Sequence, residues 1–199
     1  MALAVLTMAG AAQTPDEQRS ATQAANLEAA RSGDLAAFEI LLRQYEKLVL
    51  MTALRLMGNL PDAQDVSQEV FLKLYRNLRK LDGAARIPGW LYRVTVNACR
   101  DLQRRKRPEA PVECADDFPS AGMDPQQAAT QAERRRILEM SLRMLPEKER
   151  AALVLRDLEG LSTEEVARVL GSSEATVRSQ ISKARVKVRG FVERYFRSR

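Results

Sequence analysis

The stretch from Leu161 to Arg189, LSTEEVARVLGSSEATVRSQISKARVKVR, constrains the chain most, because it encodes two short helices meeting at a tight corner. Ser162 followed by Glu165 reads as a capping box, each side chain satisfying an orphan N–H of the first turn, and Leu161 and Val166 stand where a hydrophobic staple would. Gly171 can take the left-handed conformation that ends a helix, and Ser172 or Ser173 can cap the next one. In that second helix Val177, Ile181, Ala184 and Val188 recur at spacings of three and four, which places them on one inward stripe. Thr176, Arg178, Ser179, Gln180, Ser182, Lys183 and Arg185 are left on the other faces. A surface mixing guanidinium, hydroxyl and amide groups suits a major groove, where Arg reads guanine edges and Lys and Ser hold phosphates. The pattern therefore predicts a helix-turn-helix. The alternative at this point is a plain helical hairpin with a solvated basic face.

Composition narrows the function classes. The net charge of +6 over 199 residues favours a polyanionic partner, and the length allows one domain or two small ones. No apolar run is long enough to cross a bilayer. The opening MALAVLTMAGAAQ lacks the positive flank of a secretory signal and reads as a loose extension or a misplaced start. Cys99 and Cys114 alone make no disulfide framework, so a reducing cytoplasm is expected. With no His, the commonest general base and the commonest metal ligand are both missing, and neither catalytic residues, metal nor cofactor is expected.

In chain order, residues 1–25 are rich in Ala, Gln, Thr and Ser without periodicity and are expected to be poorly ordered. After Gly33 and Asp34, Phe38, Leu41, Leu42, Tyr45, Leu48, Val49, Thr52, Ala53 and Leu56 predict one long core helix ending near Gly58. Pro61 and Asp62 then suit the start of another, with Val66, Val70, Leu74 and Leu78 inward and Asp65, Gln68 and Glu69 sharing a polar face. Ile87 to Arg107 interleaves Trp90 and Tyr92 with Arg100, Arg104, Arg105, Lys106 and Arg107. Rings on which bases stack, beside cations that follow the backbone, suit unpaired nucleic acid; a core role for Trp90, Leu91, Val94 and Ala98 is the plainer reading. Residues 108–130 form a Pro-rich acidic linker, without Lys or Arg from Pro108 to Ala129, and Pro108, Pro111, Pro119 and Pro125 disfavour a helix. Beyond it, Ile137, Leu138, Ser141, Leu142 and Leu145 face inward on a further helix, and Leu153, Val154, Leu155 and Leu158 continue the core.

The order DAQDVSQEVFLKLY, then GWLYRVTVNACRD with RRKR, then LRMLPEKERAALVLRDLEGLSTEEVARVLGSSEATVRSQISKARVKVR, resembles a bacterial RNA polymerase sigma factor of the extracytoplasmic-function (ECF) group, sigma-70 family. The resemblance spans nearly all of Leu27 to Phe196 and rests on three linked motifs rather than on any one. It implies an all-α protein of two small helical domains, region 2 at 26–107 and region 4 at 131–199, joined by the flexible linker. It implies an accessory transcription factor rather than an enzyme, with core RNA polymerase (β′ coiled coil and β flap), promoter DNA and an anti-sigma factor, membrane-bound in many relatives, as partners.

By the same resemblance, Asp65, Gln68 and Glu69 match the D-x-x-Q-E that docks on the β′ coiled coil. Trp90, Arg93 and Asn97 match W-L-x-R-x-x-x-N, associated with opening and reading the −10 element. Leu91 stands where housekeeping sigma factors carry a second Trp, which implies less melting power, and Asn97 is the candidate for holding a flipped base. Arg100, Arg104 and Arg105, with Lys106 and Arg107, would contact phosphates. Arg178, Ser179, Ser182 and Lys183 occupy positions like those of −35 readers, and Thr176 and Arg185 those of phosphate contacts. The acidic linker would thread the polymerase channel that later holds RNA. The competing class is a free-standing helix-turn-helix regulator whose first half dimerises or senses a signal; a nucleic-acid enzyme would need a metal site that Asp62, Asp65 and Glu69 do not suggest.

Overall fold

The computed structural model describes residues 15–81, 83, 86–105 and 125–197, and among them there is no strand. Eight α-helices follow one another: α1 Pro15–Arg31, α2 Leu35–Met57, α3 Leu60–Asn77, α4 Ile87–Arg105, α5 Pro125–Arg143, α6 Glu147–Leu153, α7 Thr163–Leu170 and α8 Glu174–Arg197. A 3-10 turn, Leu78–Lys80, ends α3, and a π-helical turn, Val154–Leu158, extends α6. The all-α expectation is met.

Helix ends follow local chemistry. The Asp34 side chain accepts hydrogen bonds from the Ala36 and Ala37 amides and opens α2, while Gly58 closes it in the left-handed region at φ 77°. Asn59, not Asp62, caps α3, because its side-chain oxygen reaches the Asp62 amide at 2.9 Å; Asp62 itself is buried beside it. The capping box of α7 forms in both directions, Ser162 N to Glu165 at 2.7 Å and Glu165 N to Ser162 Oγ at 3.2 Å. Gly171 ends α7 at φ 63°, and Ser173 Oγ accepts from the Thr176 amide to open α8.

Two stretches depart from expectation. Residues 15–25, placed in a poorly ordered extension, are helical, since a run rich in Ala, Gln and Glu has high intrinsic propensity and is anchored downstream by buried Leu27 and Ala30. Residues 125–130, placed in the linker, form the first turns of α5; a proline costs nothing at a helix start, where its missing N–H would be unpaired anyway. The remainder of both segments, 1–14 and 106–124, lies outside the described residues, and with it Cys114, Lys106, Arg107 and the linker's other prolines.

The stripes read from the periodicity are the core. Leu41, Val49, Val66, Val70, Leu74 and Leu91 are no more than 1% exposed where α2, α3 and α4 meet, each such side chain contributing about 1.5–3 kcal/mol. Val166, Val177 and Ala184 hold α7 and α8 to α6. These two sets are not separate: α4 packs on α7, and α2 touches α5, α6 and the π-turn, so one apolar cluster runs through both halves.

The capping box gives a pH test. Hydrogen bonds from Ser162 hold the Glu165 carboxyl below its ordinary value. Its stabilising contribution is therefore complete above the unfolded-state value of about 4.3 and is lost as pH falls through the lower folded one. Glu165→Gln should lower stability at pH 7, and the gap to the parent should close on acidification below pH ~4; denaturant melts at a series of pH values check both.

Candidate nucleic-acid interface

Helix α8 turns its apolar stripe inward and leaves its polar residues to solvent. Thr176, Arg178, Ser179, Ser182, Lys183 and Arg185 are all exposed, on one helix whose N-terminal turns lie just past the tight corner at Gly171. They differ in how they are held. Arg178 pairs with Glu174 one turn back on the same helix, an exposed contact that a base edge or phosphate can displace at little cost. Arg185 reaches across to the π-turn and grips Asp157 with two bonds, Nε to Oδ2 at 2.8 Å and Nη2 to Oδ1 at 2.6 Å. That fork fixes α8 against the preceding segment and raises the guanidinium's already high pKa. Lys187 is tied in a similar way to Glu149 of α6 at 2.8 Å. The helix is thus anchored through its middle, with Arg178, Ser179, Ser182 and Lys183 available outward.

Helix α4 carries a second polar face. Arg93, Asn97, Arg104 and Arg105 are exposed, and Arg93, Asn97, Arg100 and Arg104 are spaced so that they share one side. Trp90 is half-buried and packs on the core, so its ring braces this end of α4 rather than standing free. Arg100 is not free either: its Nε pairs with Glu147 Oε1 of α6 at 2.7 Å. Arg104 bonds Asp101 within its own helix.

On α3, Asp65 and Gln68 are exposed and Glu69 is half-exposed, bonded to Lys73 at 2.6 Å. The same face continues into Leu72 and Tyr75, both about half exposed, with Tyr75 edge-on to Phe38 at a centroid distance of 5.0 Å. The sequence reading placed the acidic and amide groups but missed this apolar continuation, which the i, i+3, i+4, i+7 spacing from Asp65 and Gln68 could have revealed. It also missed Glu147, Asp157 and Glu159, the carboxylates that engage Arg100, Arg185 and Arg55. No group of His, Cys, Asp or Glu among the described residues could hold a metal ion.

An all-helical chain with a capped helix-turn-helix, an outward polar recognition helix and a second basic helix is a DNA-binding transcription protein. Residues 41–109 match the family model Sigma-70 region 2, and residues 135–188 match Sigma-70, region 4. The chain is 34% identical over 169 residues to the RNA polymerase sigma-H factor of Pseudomonas aeruginosa and 35% identical over 169 residues to the ECF RNA polymerase sigma-E factor of Escherichia coli K12. Each of these alignments covers 80% of this chain and 88% of the relative. It is also 36% identical over 170 residues to the ECF RNA polymerase sigma factor SigE of Mycolicibacterium smegmatis, covering 82% of this chain and 66% of that longer relative. Among solved structures, CnrH in complex with the cytosolic domain of CnrY is similar at a TM-score of 0.62 and 27% identity, over 86% of this chain and 97% of that one. The Bartonella quintana sigma factor RpoE, solved with the anti-sigma factor NepR, shares the fold at a TM-score of 0.63 and 19% identity, over 78% and 96% of the two chains. The chain belongs to the sigma-70 family of RNA polymerase sigma factors, in its ECF group. That family is one of transcription factors rather than enzymes.

The Arg185–Asp157 fork predicts a particular defect. Asp157→Ala should cost under about 1 kcal/mol of stability, since the pair is largely exposed. It should also free Arg185 for phosphates and steepen the salt dependence of duplex binding by about one unit of log K per log salt. Chemical melts and titrations at several salt concentrations measure the two effects.

Proposed function

We propose that this ECF sigma factor binds core polymerase through the α3 face and delivers it to promoters whose −35 element is read by α8 and whose −10 element is opened along α4. The observation that carries this reading is the separation of roles in the helices themselves. Every apolar stripe is buried, while the groups with recognition chemistry stand outward on three helices.

On α3, the carboxylate of Asp65 and the amide of Gln68 offer acceptors and donors to a basic surface, and Leu72 and Tyr75 add an apolar patch beside them. Such a patch on a polar rim suits a protein partner, here the β′ coiled coil. On α8, Arg178 is positioned for a base edge, Ser179 and Ser182 for bases or phosphates, and Lys183 and Thr176 for the backbone. Arg185 supports the helix through Asp157 and contributes to phosphate binding only when released. On α4, Asn97 has the free amide to hold an extruded base, and Arg93, Arg104 and Arg105 line the path of the strand. Trp90 braces that path. The phosphodiester chemistry belongs to the polymerase; this chain's contribution is binding energy spent on DNA placement and deformation.

The remaining partners follow from the relatives. Those solved with anti-sigma factors support an anti-sigma factor for this chain too, and region 4 would meet the β flap. No helix among the described residues is long and apolar enough to cross a membrane, and the setting of this activity is the cytoplasm, where the polymerase is.

Run-off transcription with purified core polymerase, with and without this protein, on a library of promoter-like duplexes tests the reading. Discrete start sites sharing a spaced pair of motifs, seen only when the protein is added, are expected. Sequence-specific binding by the protein alone to two half-sites about one helical turn apart, with no core-dependent initiation, would replace it with a free-standing regulator. Gln68→Ala with Glu69→Ala should weaken polymerase binding while leaving the melting curve unchanged. Arg178→Ala should lose discrimination between cognate and scrambled −35 sequences, worth about 1–3 kcal/mol, whereas Lys183→Ala should lower affinity for both alike.

A further inference from the structure

The two halves of the chain are held together by bonds that a promoter-bound sigma factor cannot keep. Glu159, at the end of the π-turn and only 10% exposed, accepts from Arg55 of α2 at 2.6 Å and from the Tyr92 hydroxyl of α4 at 3.2 Å. Arg100 of α4 pairs with Glu147 of α6. The C-terminal carbonyls of α2, which no helical N–H satisfies, are capped from the other half: Arg150 donates to Leu56 O at 2.7 Å and Arg143 to Gly58 O. Around these bonds the apolar cluster is continuous, with α4 lying directly on α7.

That arrangement conflicts with the proposed function. Helices in contact have axes about 8–10 Å apart, whereas −35 and −10 elements lie roughly 80 Å apart at 3.4 Å per base pair. Duplex DNA has a persistence length of about 500 Å, so it cannot fold back over such a span to meet α4 and α8 side by side. Moreover Arg100, on the −10 face, is already neutralised by Glu147. The closed chain can occupy one element at most, and only an opened chain can occupy both.

We propose that this protein is autoinhibited by its own fold, with Glu159 as the latch that holds the helix-turn-helix half against α2 and α4 without any second protein. Glu159 fits that role because a single carboxylate satisfies a guanidinium and a phenol from two different helices of the other half. In a site this sheltered the pair is stronger than a surface ion pair, and removing the acid leaves Arg55 facing an apolar seam. Polymerase would open the chain by binding the separated halves better than the closed ones, which is the only way a partner can shift such an equilibrium. The functional consequence rests on the sigma-factor reading; closure itself does not.

Cys99 supplies a reporter. It is 2% exposed and lines a small cavity at the seam with Leu56, Gln103, Glu147 and Arg150, and burial pushes its thiol pKa up to about 12. In a Cys114→Ser background it is the one thiol of the chain. Its reaction with an aromatic disulfide at pH 8 should be slow, and Glu159→Gln should speed it about tenfold, in step with the open population. The exchanged pair Arg55→Glu with Glu159→Arg should restore slow labelling, which a merely damaged fold would not. In run-off transcription Glu159→Gln should reach half-maximal initiation at a several-fold lower protein concentration. Labelling that is already fast in the parent, or unchanged in Glu159→Gln, would overturn the latch, as would faster labelling without any gain in initiation. If neither protein directs initiation while the labelling difference stands, the sigma-factor reading falls and the self-closure remains.

Discussion

A buried guanidinium, that of Arg150, is the point on which the packing of the two halves depends. It donates to the carbonyls of Arg143 and Leu145, closing the end of α5, and to Leu56 O at the end of α2. Helix ends buried without partners are costly, and one planar side chain with several donors meets two of them at once. Burial lowers its pKa, yet from so high a starting value that the charge persists. With Arg143 beside it, the negative end of the α2 dipole becomes an attachment point for the second half of the molecule. The apolar contacts of α6 and the π-turn then close around this polar centre.

The parts of the fold that local chemistry determines could be read from the residues. The helix-turn-helix is an example, since its caps, its left-handed glycine and its apolar stripe all lie within three or four residues of one another. Helix α1 was hidden because its start has propensity without periodicity, and its anchor, Leu27 and Ala30, comes only at the far end. The start of α5 was hidden because Pro125 reads as a breaker unless it is known to be first in its helix. Among the recognition residues, exposure was legible and engagement was not. Periodicity places Arg178 and Arg185 outward alike, but only three-dimensional packing decides that one faces its own Glu174 and the other is forked to Asp157. The seam was the least legible feature of all. Nothing near Arg55 in the chain signals that its partner lies at Glu159, and Tyr92 looked like one more aromatic of a basic helix.

The three outward surfaces share a design. Each is a polar row on a helix whose opposite side is welded into the core, so recognition groups are positioned by packing they do not themselves supply. Substitutions on such rows can change partner choice while the fold stays intact, which is why binding and stability separate so cleanly in this architecture.

Helix α8 runs from Glu174 to Arg197, about 36 Å, well beyond the corner it forms with α7. Near its far end the Tyr195 hydroxyl bonds Glu133 of α5 at 2.7 Å, with Phe191 and Phe196 flanking the ring. Mechanically this makes α8 a rod pinned at both ends: DNA-reading side chains sit at one, and at the other lies the helix into which the linker feeds. A load applied through residue 125 is therefore delivered as torque to the reading end, and the interdomain connection and the −35 contact surface behave as one lever rather than as two independent parts.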